Sequence, residues 1–174
     1  MNPTKPESPT TTDALRTAVA ALAVGIVLTV TAGCGSSTAT KVDKASFITK
    51  ADAICARYEP RIHTIPQPSF DPSLATDTDM PAAVGYLTQT LPIARAESQA
   101  LHALGEPTQD AGTFTQGLAD FDSTISHRAE GLAAAQAGNV PMFRAAIAAE
   151  QSAGMKGSAL LQQFGLQVCG TRPK

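Results

Sequence analysis

Apolar residues recur along this chain at the three- and four-residue spacing of a helix face, in four segments set apart by Pro, Gly and Asn. The first follows a candidate N-cap, Ser46, and runs to about residue 64, with Phe47, Ala51, Ile54, Tyr58 and Ile62 on one stripe. Residues 65–80 hold Pro66, Pro68 and Pro72 among polar residues, which predicts an extended linker long enough to cross one end of a bundle. The second segment begins near Pro81 and ends before Gly105, with Val84, Leu87, Leu91, Ala94 and Leu101 on a shared face. Pro92 lies inside it and should kink it or split it in two. The third runs from about Asp110 to Gln136 on a stripe of Phe114, Leu118, Phe121, Ile125 and Leu132. Ala137-Gly138 stops it. Asn139 can cap the fourth, and Pro141 falls in its first turn, where a missing N–H costs nothing. The fourth extends to about Phe164 with Phe143, Ile147, Gly154 and Leu161 on one face. No stretch alternates like a strand. The expected fold is all-α, an up-down-up-down four-helix bundle.

The short connection near residues 137–140 also predicts a register. In an antiparallel hairpin about that turn, facing residues have numbers summing to about 278, because both helices rise equally per residue. Arg128 and Glu150 meet that condition, and both sit on or beside the apolar stripe. They are expected to form an ion pair that sets register; the other reading is that each side chain reaches water separately.

Composition narrows the class. Trp is absent, Tyr occurs twice and Ala is abundant, which favours helices over strands. The formal net charge is −2 and there is no basic stripe, which argues against a nucleic-acid partner.

The first 40 residues have a separate logic. Residues 1–16 are polar and carry Lys5, Glu7, Asp13 and Arg16, then no charge occurs from Thr17 to Thr40. Ala18 to Val30 is an apolar run of signal-peptide length, short of the ~20 apolar residues a spanning helix needs. It ends in Thr31-Ala32-Gly33-Cys34. Ala32-Gly33-Cys34 resembles the lipobox of bacterial lipoproteins, with Thr31 departing from the family's usual Leu. The resemblance implies that residues 1–33 are cleaved as a signal peptide and that Cys34 carries lipid, leaving the protein on the outer face of the cell membrane. The alternative is an uncleaved signal anchor in which Cys34 is incidental. Residues 34–45 read as a flexible polar tether and 46–174 as the helical domain. With the leader removed, 141 residues remain, enough for one domain.

Lipidation of Cys34 would also resolve an odd cysteine count, leaving Cys55 and Cys169. In an exported protein these two are expected to form a disulfide; the other reading is two free thiols. The bundle topology favours the bridge, because it places helix one beside the end of helix four.

Phe47, Ala51-Asp52-Ala53-Ile54-Cys55, Ala137-Gly138-Asn139 with Phe143, and Gly165-Leu166-Gln167-Val168-Cys169-Gly170 together resemble a group of small actinobacterial lipoproteins of uncharacterised function. That resemblance implies secretion, one bridge and a helical bundle, and no activity.

Candidate chemistry is sparse. His127 and Glu130 form a His-x-x-Glu pair that shares a helix face and could contribute to a metal site, as in imelysin-like iron proteins. His127 lies about 210° from the core stripe, so it should face solvent, and a di-iron site needs carboxylates from other helices. No metal or other cofactor is therefore expected. His63 and His102 stand alone on outer faces, and Asp120 and Asp122 point in different directions. The chain has no Gly-x-Ser-x-Gly elbow, Ser-x-x-Lys motif or phosphate-cradling glycine loop, so it is not expected to be an enzyme. Two classes remain. One is a structural or interaction module of the cell envelope, with another envelope protein as partner. The other is a carrier of a small lipid-like or other apolar ligand, or of a metal. A carrier needs a cavity of roughly 300 Å³, whereas a bundle filled by its own side chains favours the first class.

Overall fold

The computed structural model describes residues 42–169. The proposed signal peptide, most of the tether and Cys34 lie outside that range.

Four helices follow in order: α1 (Lys44–His63), α2 (Met80–His102), α3 (Ala111–Gln136) and α4 (Val140–Phe164), with no strand among the described residues. The all-α expectation holds. Phe47 near the start of α1 packs with Leu101 at the end of α2, Phe114 at the start of α3 and Phe164 at the end of α4. Each helix therefore runs opposite to the one before it, which is the up-down-up-down order.

Helix boundaries follow local chemistry. Asp43, rather than Ser46, caps α1: its carboxylate accepts the Ser46 backbone N–H at 3.0 Å. The helix thus begins inside the expected 34–45 tether and takes in Lys44 and Ala45. Aspartate is at least as good a cap as serine, and its position one turn earlier adds hydrogen bonds to the helix. α2 is continuous through Pro92, which is exposed to solvent, so the helix is not split. Asn139 caps α4 as expected, accepting from Met142 N–H at 3.1 Å. Gly138 ends α3 with φ +66°, and Asn139 N–H closes back on the Ala134 carbonyl at 2.8 Å. This left-handed turn is accessible to glycine at little cost.

The 65–79 linker contains two single 3₁₀ turns, Pro72–Leu74 and Asp77–Asp79. It is fastened to the start of α4. Arg144 donates from Nε to the Ala75 carbonyl at 2.9 Å and also from Nη2, while Phe70 lies against Phe143 at 6.5 Å. Buried Ala75 joins Met80, Leu87, Val140 and Phe143 in a cluster beneath it.

Helices α3 and α4 approach closely because small residues face each other. A Cβ on Gly157 would stand 3.1 Å from the Gly117 carbonyl oxygen, and one on Gly117 would stand 2.9 Å from Leu161 Cδ2. Within this hairpin, Arg128 Nε and Nη2 both donate to Glu150 Oε1, at 2.9 and 2.6 Å. The ion pair and the register expected from the residue numbers are therefore present. Cys55 and Cys169 are bonded, as expected.

Candidate ligand site

Midway along the bundle the helices do not fill the space between them. Opposite Glu59 and Ile62 of α1, the other helices present Ala94, Gly154 and Ser158, all small, and a cavity of about 330 Å³ results. Its wall is apolar at Phe121, Leu161 and the disulfide, and polar at Glu59, Glu97, Arg128 and Glu150. A second cavity of about 260 Å³ lies under the linker, with Phe70, Tyr86 and Ile147 in its wall. Arg128, Glu150 and Gln151 line both, so the ion pair stands at their common boundary.

The charges around the larger cavity are unbalanced. Arg128 is committed to Glu150, and their side chains are 18% and 14% exposed. Glu97 is 8% exposed and has no hydrogen-bond partner among the described residues. Removal from water pushes its carboxyl up to about 7; neighbouring Glu59 adds to the rise and Arg128 opposes it. Glu59 is also raised by removal from water, an effect that His63 moderates. Near neutral pH the site therefore holds a carboxyl poised between its two forms, facing a cleft with an apolar wall.

Glu97 was not among the residues singled out in the sequence, although a signal was there. It lies three residues after Ala94 and four before Leu101, on the buried stripe of α2. Glu59 lies four residues after Cys55 and three before Ile62, likewise between stripe positions of α1. This is the pattern that drew attention to Glu150.

The other candidates are placed differently. His127 Nδ1 and Glu130 Oε2 do share a face and lie 2.9 Å apart, so they satisfy one another. No group of three His, Cys, Asp or Glu side chains among the described residues is arranged to hold a metal ion. His102, expected to stand alone, has a carboxylate partner: its Nε2 lies 2.8 Å from Asp122 Oδ2 across the α2–α3 interface. Ser98 Oγ donates to the other oxygen of Asp122 at 2.6 Å. The order matters, because aspartate bridges serine and histidine here. A nucleophilic serine needs histidine at its own hydroxyl, and this arrangement does not supply it.

Near the disulfide, Asp52 Oδ1 accepts the backbone N–H groups of Gln167 and Val168, at 3.1 and 2.9 Å. Asp52 thus fastens the segment after α4 onto α1, a structural role. Comparison with protein-family models, curated proteins and solved structures finds no match to the chain.

Proposed function

We propose that this protein is an exported lipoprotein, held to the outer face of the bacterial cell membrane by lipid on Cys34, whose helical domain carries a small ligand in the inter-helix cleft without catalysing its conversion. The observation that carries the ligand reading is the 330 Å³ cavity with Glu97 buried in its wall. Cavities of about 300–1,000 Å³ with an apolar lining and a few convergent polar groups are the usual form of small-molecule sites. A purely structural bundle gains nothing from a carboxyl largely removed from water at a cavity wall, where desolvation of its charged form costs stability. The anchor reading rests on the uncharged run ending in Ala32-Gly33-Cys34. The Cys55–Cys169 bridge fits an exported protein, since disulfides persist in oxidising compartments. No helix among the described residues is long and apolar enough to cross a membrane.

Mass spectrometry tests both halves on the protein purified from the cells that make it. Under native conditions a small molecule should travel with the protein and be lost on denaturation. The N-terminal peptide should begin at Cys34 with a diacylglycerol-sized addition. A ligand-free protein would overturn the carrier reading. Unchanged membrane retention and mass in a Cys34→Ala variant would overturn the anchor.

A further inference from the structure

We infer that the larger cavity takes a small organic cation, an amine with an aliphatic body, whose ammonium group is held by Glu97 and Glu59. This deepens the carrier reading and rests on it.

Three features point this way. First, the charge facing the cavity comes from every helix: Glu59 on α1, Glu97 on α2, Arg128 on α3 and Glu150 on α4. The last two neutralise each other through two hydrogen bonds to one oxygen. Among the described residues, Glu97 and Glu59 receive only partial compensation, from Arg128 and His63 respectively, and a bound ammonium group would add a cation shared by the two carboxyls. Second, Glu97 is more than nine-tenths buried, lines the cavity and has no hydrogen-bond partner among the described residues. An ammonium group donates up to three hydrogen bonds and accepts none, so it matches a carboxylate that has acceptors to spare. Third, the lining also includes the apolar side chains of Ile62, Phe121 and Leu161, which suit an aliphatic body. A metal ion fits less well, because the described residues hold no group of three ligating side chains at coordinating distance. A fatty acid or phosphate ester would place a third anion beside two carboxylates, which like-charge repulsion disfavours.

The protonation of Glu97 gives the site a pH dependence. An ammonium group favours the charged carboxylate, so binding should strengthen as pH rises through about 7. It should be accompanied by proton release when measured below that value.

Calorimetric titration of the purified full protein, after any co-purified ligand is dialysed out, tests this with three probes of one length: hexylammonium, hexanol and hexanoate. Hexylammonium should bind at least about tenfold more tightly at pH 8 than either of the others, the scale of a charge-assisted hydrogen bond. Its affinity should fall by about tenfold or more between pH 8 and pH 5.5, and Glu97→Gln should reduce it similarly at pH 8 and remove the pH dependence. Glu59→Gln provides a second variant and should weaken binding without removing the pH dependence. Equal binding of hexanol or hexanoate, or binding of hexylammonium unchanged in both variants, would overturn the cation inference while leaving a carrier. Absence of binding by all three probes, with an uncharged or anionic molecule co-purifying, would overturn it in the same way. Absence of any co-purifying molecule would instead strike at the carrier reading itself.

Discussion

The two halves of this bundle are built on opposite terms. At the end where α1 and α3 begin, three phenylalanines interlock: Phe47 meets Phe114 edge-on at 4.8 Å and Phe164 at 5.9 Å, and Phe114 lies 5.4 Å from Phe164. Leu101, Leu118, Leu161 and Leu166 complete that cluster, and the disulfide and Asp52 close it. Aromatic pairs in this geometry add about 0.5–1.5 kcal/mol each beyond their area burial. One helical turn or two further along, the same four helices enclose Glu59, Glu97, Arg128 and Glu150 around open space. The contrast indicates that the aromatic end sustains the fold and that the polar middle is kept at some cost to stability. A fold that needed the middle for stability would fill it with leucine.

The strongest way to break this contrast is to remove the bridge. Cys55 and Cys169 are 114 residues apart, and the loop-entropy model assigns a closure of that length roughly 4–5 kcal/mol. Replacing both with Ser should lower the melting temperature by about 15 °C, given a few degrees per kcal/mol for a domain of this size. A shift below about 3 °C, seen by circular dichroism, would show that the aromatic end holds without its clasp.

Next in size is Glu97. Its folded-state value of about 7 lies above the ordinary 4.5, so the neutral form stabilises the fold. That contribution is fully present below pH 4.5 and is lost as pH rises through about 7. From these values, the fold should lose roughly 3 kcal/mol between pH 4.5 and pH 8 through this group. Glu97→Gln should flatten the dependence and raise stability at pH 8. Urea unfolding at the two pH values reads the difference; equal slopes in wild type and variant would place Glu97 in water.

The α3–α4 contact should respond to a single methyl group. Gly157→Ala would bring Cβ to 3.1 Å from a backbone oxygen and 3.3 Å from the Phe121 backbone nitrogen, neither of which can move aside alone. Overpacking of this kind costs about 1–3 kcal/mol. Gly85→Ala, which meets nothing within 4 Å, is the control and should be neutral or slightly stabilising. Equal effects of the two on chemical denaturation would remove the close-approach argument.

The smallest expected effect is the coupling within Arg128–Glu150. A double-mutant cycle of Arg128→Met and Glu150→Leu should give an interaction energy of about 1 kcal/mol, because either single change strands a partner at the cavity wall. Coupling under about 0.5 kcal/mol would mean that the two side chains act independently of one another.

Local sequence specifies the four helices, because each rests on local periodicity and local punctuation: the Phe114–Leu132 stripe, the Gly138 turn, the Asn139 cap. It also determined that Arg128 meets Glu150, since a tight turn between helices of equal rise leaves almost no freedom in register. The eight residues between α2 and α3 give no such constraint, which is why the Ser98–Asp122–His102 contacts could not be read from residue numbers. The α1 cap was likewise misplaced from the sequence, which pointed to Ser46 where the structure uses Asp43, because both residue types cap well and only three positions separate them. The cavity was decided only by tertiary structure. Ala94, Gly154 and Ser158 each look like ordinary small residues on a helix face, and Glu59 and Glu97 like polar interruptions of a stripe. Whether small side chains on different helices oppose one another, and whether two carboxyls turn toward the space they leave, depends on how far apart the four axes settle. That separation is a property of the packed whole, and no single helix encodes it.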